Sequence, residues 1–189
     1  MKMENVMIRC QIGNDLMKLV KALKKNFVGT DKTRDYLCSL MYQSDNKTLY
    51  GTDGKKAFRY RLDNGLGEDI PDGRYKATVY EDSIILEDDV KGFPVIDRIF
   101  PSLEDCEEFS EIDLENVHGK RISKEQRIFE ISSFFKDLQS TVNYTWIVGL
   151  PDSLKYRAFL RKKSMIVLIS DNRYGRFEAV MMIVNMNRS

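Results

Sequence analysis

Five apolar side chains between residues 15 and 28 constrain this chain more than any other feature. Leu16, Leu19, Val20, Leu23 and Phe27 recur at i, i+3, i+4, i+7 and i+11. That spacing places them on one stripe of an α-helix. Asn14 is a good N-cap, and Gly29 sits where a left-handed C-terminal cap is wanted. A helix with one apolar stripe has to cover it, and the flanking sequence supplies sheet to do so.

A strand over residues 6–12 precedes the helix. Strands over 35–43 and 47–52 follow, joined by Ser44-Asp45-Asn46. Thr52-Asp53-Gly54 turns the chain into a strand over 56–62, since Asp-Gly is a strong hairpin signal. Two more strands are expected over 74–80 and 83–87. Residues 102–117 then carry Glu104, Asp105, Glu107, Glu108, Glu111, Asp113 and Glu115 with no Lys or Arg among them. Such a run reads as a solvated acidic connector, with a DNA-mimicking or partner-docking strip as the alternative.

The second half repeats the plan of the first in pattern, not in letters. Residues 127–131 can form a strand, and Ser132 or Ser133 caps a short helix with Phe134, Phe135 and Leu138 as its apolar face. Strands over 142–148, 153–160, 164–170 and 176–186 follow, each rich in β-branched or aromatic residues. The expected fold class is α+β. It is a single domain of two pseudo-repeated β-α-β-β-β units, an antiparallel sheet with two helices on one face. The first half spans about 4–101, the connector about 102–118 and the second half about 119–189.

Composition excludes several classes of function. The net charge of +1 gives no global attraction to nucleic acid or acidic membranes, so electrostatic recognition needs local segregation of charge. No segment approaches the roughly 20 apolar residues of a membrane span, and no signal-peptide core is evident. Cys10, Cys38 and Cys106 are widely spaced, with His118 the lone histidine; this disfavours a structural zinc site and suits a reducing, cytoplasmic setting. GxSxG, P-loop, HExxH and DxDxDG patterns are all absent, and His118 has no evident nucleophile beside it. No enzyme activity, metal or cofactor is therefore expected. Trp146, Tyr144 and Tyr156 could stack on bases, but alternation in their strands favours core or cross-strand positions.

Four segments, in order, carry a resemblance. Thr33-Arg34-Asp35-Tyr36-Leu37 enters a strand, and Leu49 to Ala57 contains the Thr52-Asp53-Gly54 hairpin. Phe93-Pro94-Val95-Ile96-Asp97-Arg98-Ile99-Phe100-Pro101 follows, and Ala179-Val180-Met181-Met182-Ile183 lies near the end. Together these resemble the bacterial DNA polymerase sliding clamp family, the β subunit of DNA polymerase III, and residues 129–138 fit that family's last strand–helix entry. Lys55 stands where the family has histidine, and Met182 and Val184 replace the proline and arginine of its terminal motif.

The resemblance implies a non-catalytic protein of DNA replication or repair. A clamp lines its hole with helices whose basic side chains meet phosphates without reading sequence. Here Lys18, Lys21 and Lys25 fall opposite the apolar stripe of the first helix, with Lys24 on its flank. Lysine is a flexible point charge suited to mobile, sequence-independent contact with duplex DNA. The family also docks partner peptides in a hydrophobic pocket, to which Thr52, Gly54, Lys55, Lys56, Ala57, Met181 and Met182 correspond. Methionine suits a surface that must accept several ligands. An ordinary solvated lysine face and an ordinary Met–Met core pair are the plain alternatives. Rings in the family close with six domains, so this chain could encircle DNA only as a homo-oligomer. The rival reading is a protein-interaction adaptor that keeps the fold and has lost DNA contact.

Overall fold

The computed structural model describes residues 7–67, 70–88, 93–113, 123–133, 135, 147, 149–151, 154–162 and 164–183. Among the described residues ten antiparallel strands form one sheet: β1 (Met7–Cys10), β2 (Leu40–Gln43), β3 (Thr48–Thr52), β4 (Lys56–Leu62) and β5 (Arg74–Val79), then β6 (Ile84–Asp88), β7 (Glu107–Asp113), β8 (Lys155–Arg161), β9 (Met165–Asn172) and β10 (Gly175–Met182). Two α-helices accompany them among the described residues, α1 (Asn14–Phe27) and α2 (Lys124–Ser133).

The strand order is β1-β6-β5-β2-β3-β4-β10-β9-β8-β7. Two β-α-β-β-β units are visible in it: β1-α1-β2-β3-β4 and β7-α2-β8-β9-β10. The β5–β6 hairpin is added to the first unit, wedged between β2 and β1. The last strands of the two units, β4 and β10, pair along their length from Gly175↔Leu62 to Met181↔Lys56. That seam joins the halves into one sheet.

Alternation sorts the side chains onto two faces. Leu40, Tyr42, Phe58, Tyr60, Leu168, Phe177 and Ala179 point toward the helices, where the expected stripe of α1 is buried in full. Ile131 of α2 is in the same core, so both helices lie on one side of the sheet. On the other face Met41, Tyr50, Ala57, Val167, Ile169 and Val180 are covered by Phe93, Ile96 and Phe100.

Several local expectations are corrected. Gly13, not Asn14, is the N-cap of α1, and it supplies no side-chain bond. Gly29 does not form a left-handed cap; Val28 ends the helix in extended conformation, and Gly29 N–H donates to the Leu37 carbonyl at 2.7 Å. A Cβ at Gly29 would lie 3.3 Å from that carbonyl, so the glycine serves a close approach of backbones. The strand expected over 35–43 begins only at Leu40, because Lys32–Cys38 is a 3₁₀ segment. Asp31 sets it by accepting from Thr33 N–H at 3.0 Å and pairing with Arg34.

The central part of the acidic run is not a connector: Glu107–Asp113 is the edge strand β7, and residues 114–118 lie outside the described residues. Strand β7 pairs with β8 around a bulge, buries Ile112 and is anchored by a bidentate Arg157–Glu108 pair. Residues 127–131 are helical, not extended. Ser123 and Gln126 form a reciprocal capping box, with Gln126 N–H to Ser123 Oγ at 3.2 Å and Ser123 N–H to Gln126 Oε1 at 2.9 Å. Ser123→Ala should cost about 1 kcal/mol in urea unfolding; no loss would mean that the box does not hold α2. The strand expected over 142–148 lies outside the described residues except for Ile147, which is helical and buried. Phe134, Leu138, Tyr144, Trp146, His118 and residues 184–186 also lie outside them.

Candidate groove at the end of the seam

The turn between β3 and β4 is built by its own side chains. Asp53 Oδ1 accepts from Lys55 N–H at 2.8 Å and Lys56 N–H at 3.0 Å. Thr52 Oγ1 accepts from Gly54 N–H at 3.0 Å and donates to the Lys56 carbonyl at 2.8 Å. Gly54 has φ +87°, a left-handed conformation that glycine adopts without a Cβ penalty. The result is a short, rigid turn held against the far end of β10, where Met182 N–H donates to the Lys55 carbonyl at 3.4 Å.

A cavity of about 150 Å³ opens there. Thr52, Gly54, Lys55, Lys56, Met181 and Met182, six of the seven residues expected from the sequence, line it. The seventh, Ala57, is fully buried and sits opposite Val180 in the register of the seam. Three further lining residues were not anticipated: Ile99, Met165 and Val180. Ile99 comes from the 3₁₀ turn Asp97–Ile99, and Met165 faces Met182 across β9 and β10. Register is a long-range property, so nothing local marks Met165. Ile99, however, lies in the Phe93–Pro101 segment that carried the resemblance. Met182 and Ile99 are 50% and 39% exposed, an apolar wall open to solvent.

Lys56 is the buried charge in this lining, only 6% exposed. Its ammonium donates to Asn26 Oδ1 at 2.9 Å, lies 5.4 Å over the Phe27 ring and stands 4.0 Å from Asp53. Burial pulls its pKa below the usual lysine range, and Asp53 partly opposes this. Lys56 thus ties the groove's turn to the end of α1.

On the helix side, the four expected lysines are in different situations. Lys18 and Lys25 are exposed, whereas Lys21 and Lys24 are half-buried. Lys18 Nζ lies 3.9 Å from Asp15, which also takes Arg173, and Lys21 Nζ donates to the Glu81 carbonyl at 2.9 Å. Lys24 and Lys25 stand in the last turn, where the helix dipole favours cations. A larger cavity of about 560 Å³ separates α1 from the β9–β10 turn, and Lys18 is the one expected residue in its lining. Tyr156 is core, fully buried with its hydroxyl donating to the Pro151 carbonyl. Among the described residues no group of His, Cys, Asp and Glu side chains could hold a metal ion, and no helix is long and apolar enough to cross a membrane.

No protein-family model and no curated protein sequence matches the chain. Solved structures do. The Caulobacter crescentus β sliding clamp superposes with a TM-score of 0.62 at 10% identity, over 98% of this chain and 68% of that one. The β chain of Streptococcus pneumoniae DNA polymerase III gives 0.61 at 12%, over 98% and 66%. The Helicobacter pylori β clamp bound to a DNA ligase peptide gives 0.55 at 12%, over 97% and 66%. This chain spans just under two thirds of the pneumococcal chain and of the β subunit of Borrelia burgdorferi, 66% and 65%. The fold is that of the bacterial sliding clamps.

Proposed function

We propose that this protein is a non-catalytic, clamp-like docking module of DNA replication or repair, which receives short partner peptides in the groove at the end of the β4–β10 seam. One observation carries the reading: six residues from two distant stretches, chosen on resemblance, surround a single open apolar cavity. The cavity's size suits one or two side chains, and its three methionines can adapt to different anchors. The H. pylori clamp of the same fold binds a ligase peptide, and polyethylene glycol was found at the putative motif-tethering region of the C. crescentus clamp. A fluorescent copy of that ligase peptide is the direct probe. Met182→Asp, at a half-exposed position, should weaken its binding by about tenfold or more with little loss of stability. Equal binding by parent and variant in anisotropy would remove the groove from the proposal.

Duplex DNA contact through α1 is the second part of the reading, with Lys18, Lys24 and Lys25 as its main cations. Binding should be sequence-independent and fall steeply with salt, and reversing those three lysines to Glu should abolish it at low ionic strength. Anisotropy on random duplex across a salt series reads this out. The adaptor reading, docking without DNA, is favoured by a separate observation: Lys18 and Lys21 already meet protein acceptors, and the net charge is +1. No binding at low salt would leave the adaptor alone. Light scattering decides whether copies of this chain assemble.

A further inference from the structure

Four cations stand at the groove or on turns that adjoin it, and among the described residues none of them has an acidic partner. Lys55 lines the groove and is exposed to solvent. Arg98 is exposed on the same 3₁₀ turn as Ile99. Arg161 ends β8 and Lys162 follows it in the turn to β9, where the Ser164 carbonyl accepts from Ile183 N–H at 2.9 Å and fixes the turn against the end of β10. Arg161 also stands opposite Met165 in the register of the sheet.

None of the four makes an ion pair among the described residues. The Nε of Arg161 is moreover buried without any hydrogen-bond acceptor, a costly state for a guanidinium donor. Nearby carboxylates are otherwise engaged: Asp53 Oδ1 caps its own turn, and Asp97 lies 3.7 Å from Arg59 and accepts from Tyr50. Asp105 and Arg161 both lie near the Cys106 thiol, with no ion pair between them. An apolar floor within a rim of unpaired cations is complementary to an apolar side chain flanked by negative charge.

We infer that the groove selects peptides whose apolar anchor is flanked by carboxylates, which pair with Lys55, Arg98, Arg161 and Lys162. The inference rests on the docking reading above. A peptide fits better than duplex DNA because the cavity is narrow, apolar and sized for side chains, whereas a duplex would reach only its rim. Rim charges of this kind act mainly on encounter and on discrimination, and salt screens them.

The test uses two fluorescent peptides with the same central pair of leucines, flanked on both sides by aspartates in one and by asparagines in the other. The aspartate peptide should bind about tenfold tighter at about 50 mM salt, and its advantage should shrink below about twofold at about 0.5 M. Lys55→Glu with Arg98→Glu, both at exposed positions, should reverse the preference while thermal unfolding stays unchanged. Equal affinity of the two peptides at low salt, with no response to charge reversal, overturns the inference and leaves docking intact. Loss of duplex DNA binding in the reversed variant, with peptide preference unchanged, assigns these cations to phosphate and overturns it too. If neither peptide binds and the ligase peptide also fails, the docking reading itself falls.

Discussion

Phe177→Ala should destabilise the protein by about 3–5 kcal/mol, the range for truncating a fully buried aromatic. Phe177 is 0% exposed on β10, and its ring meets partners from the helix and from both units on the helix side of the sheet. Phe27 of α1 lies at 6.2 Å, Phe58 and Tyr60 of β4 each at 5.9 Å, and Tyr156 of β8 at 5.8 Å between ring centroids. Most of these contacts are edge-on, the arrangement that aromatic quadrupoles favour. Removing one ring therefore opens a cavity that touches the helix, the first unit and the second unit together. Urea unfolding should show a single transition whose midpoint falls while its slope is kept. Two separated transitions, or a loss below about 1 kcal/mol, would mean that the units are not one cooperative body.

Gly175→Ala tests the same seam through the backbone. Gly175 has φ +131°, where side chains are rarely tolerated, and begins the pairing of β10 with β4 opposite Leu62. An added Cβ would overlap the Arg61 carbonyl oxygen and come within 3.1 Å of Asp63 N. Both contacts are with backbone, so no side chain can swing away. Backbone strain of this sort costs about 1–3 kcal/mol, and the overlap adds to it by separating the strands. A drop of about 3 kcal/mol or more is expected, with loss of peptide binding as the seam's far end shifts. Gly13→Ala is the control: nothing lies within 4 Å of its Cβ, and the change should cost no more than about 1 kcal/mol, the penalty of alanine at a helix N-cap. Equal stability of the two variants would show that the β4–β10 seam is not what joins the halves.

The helix α1 was legible because its signal is local. Five apolar residues at helical spacing can be satisfied by one stripe, and that stripe is buried. The Thr52-Asp53-Gly54 turn was legible for a similar reason, since its side chains bond backbone groups no more than four residues away. Elsewhere two local signals compete. Arg127–Ile131 holds β-branched and aromatic residues that suit a strand, yet Ser123 and Gln126 already spell a helix start. For β7 the composition misled: its carboxylates argue for a loop, but pairing with β8 and the Arg157–Glu108 bridge make it a strand.

The groove divides in the same way. Its turn and its methionines stand in the sequence as two short stretches far apart in the chain, and resemblance alone suggested that they meet. That they do, and that Ile99 and Met165 complete the wall, depends on the register of β10 between β4 and β9. The unpaired cations at the mouth depend on it as well, because three turns from separate parts of the chain converge there.

By itself the amino-acid sequence determined the amphipathic helix, the turn chemistry and the alternation that sorts each strand's two faces, for each of these is settled by neighbours within a few residues. Tertiary structure alone decided which strands adjoin, which residues face each other across the seam, and therefore that a groove exists at its end. Strand pairing is a choice among distant segments with similar local preferences, and only the shared burial of both units' apolar faces selects one arrangement.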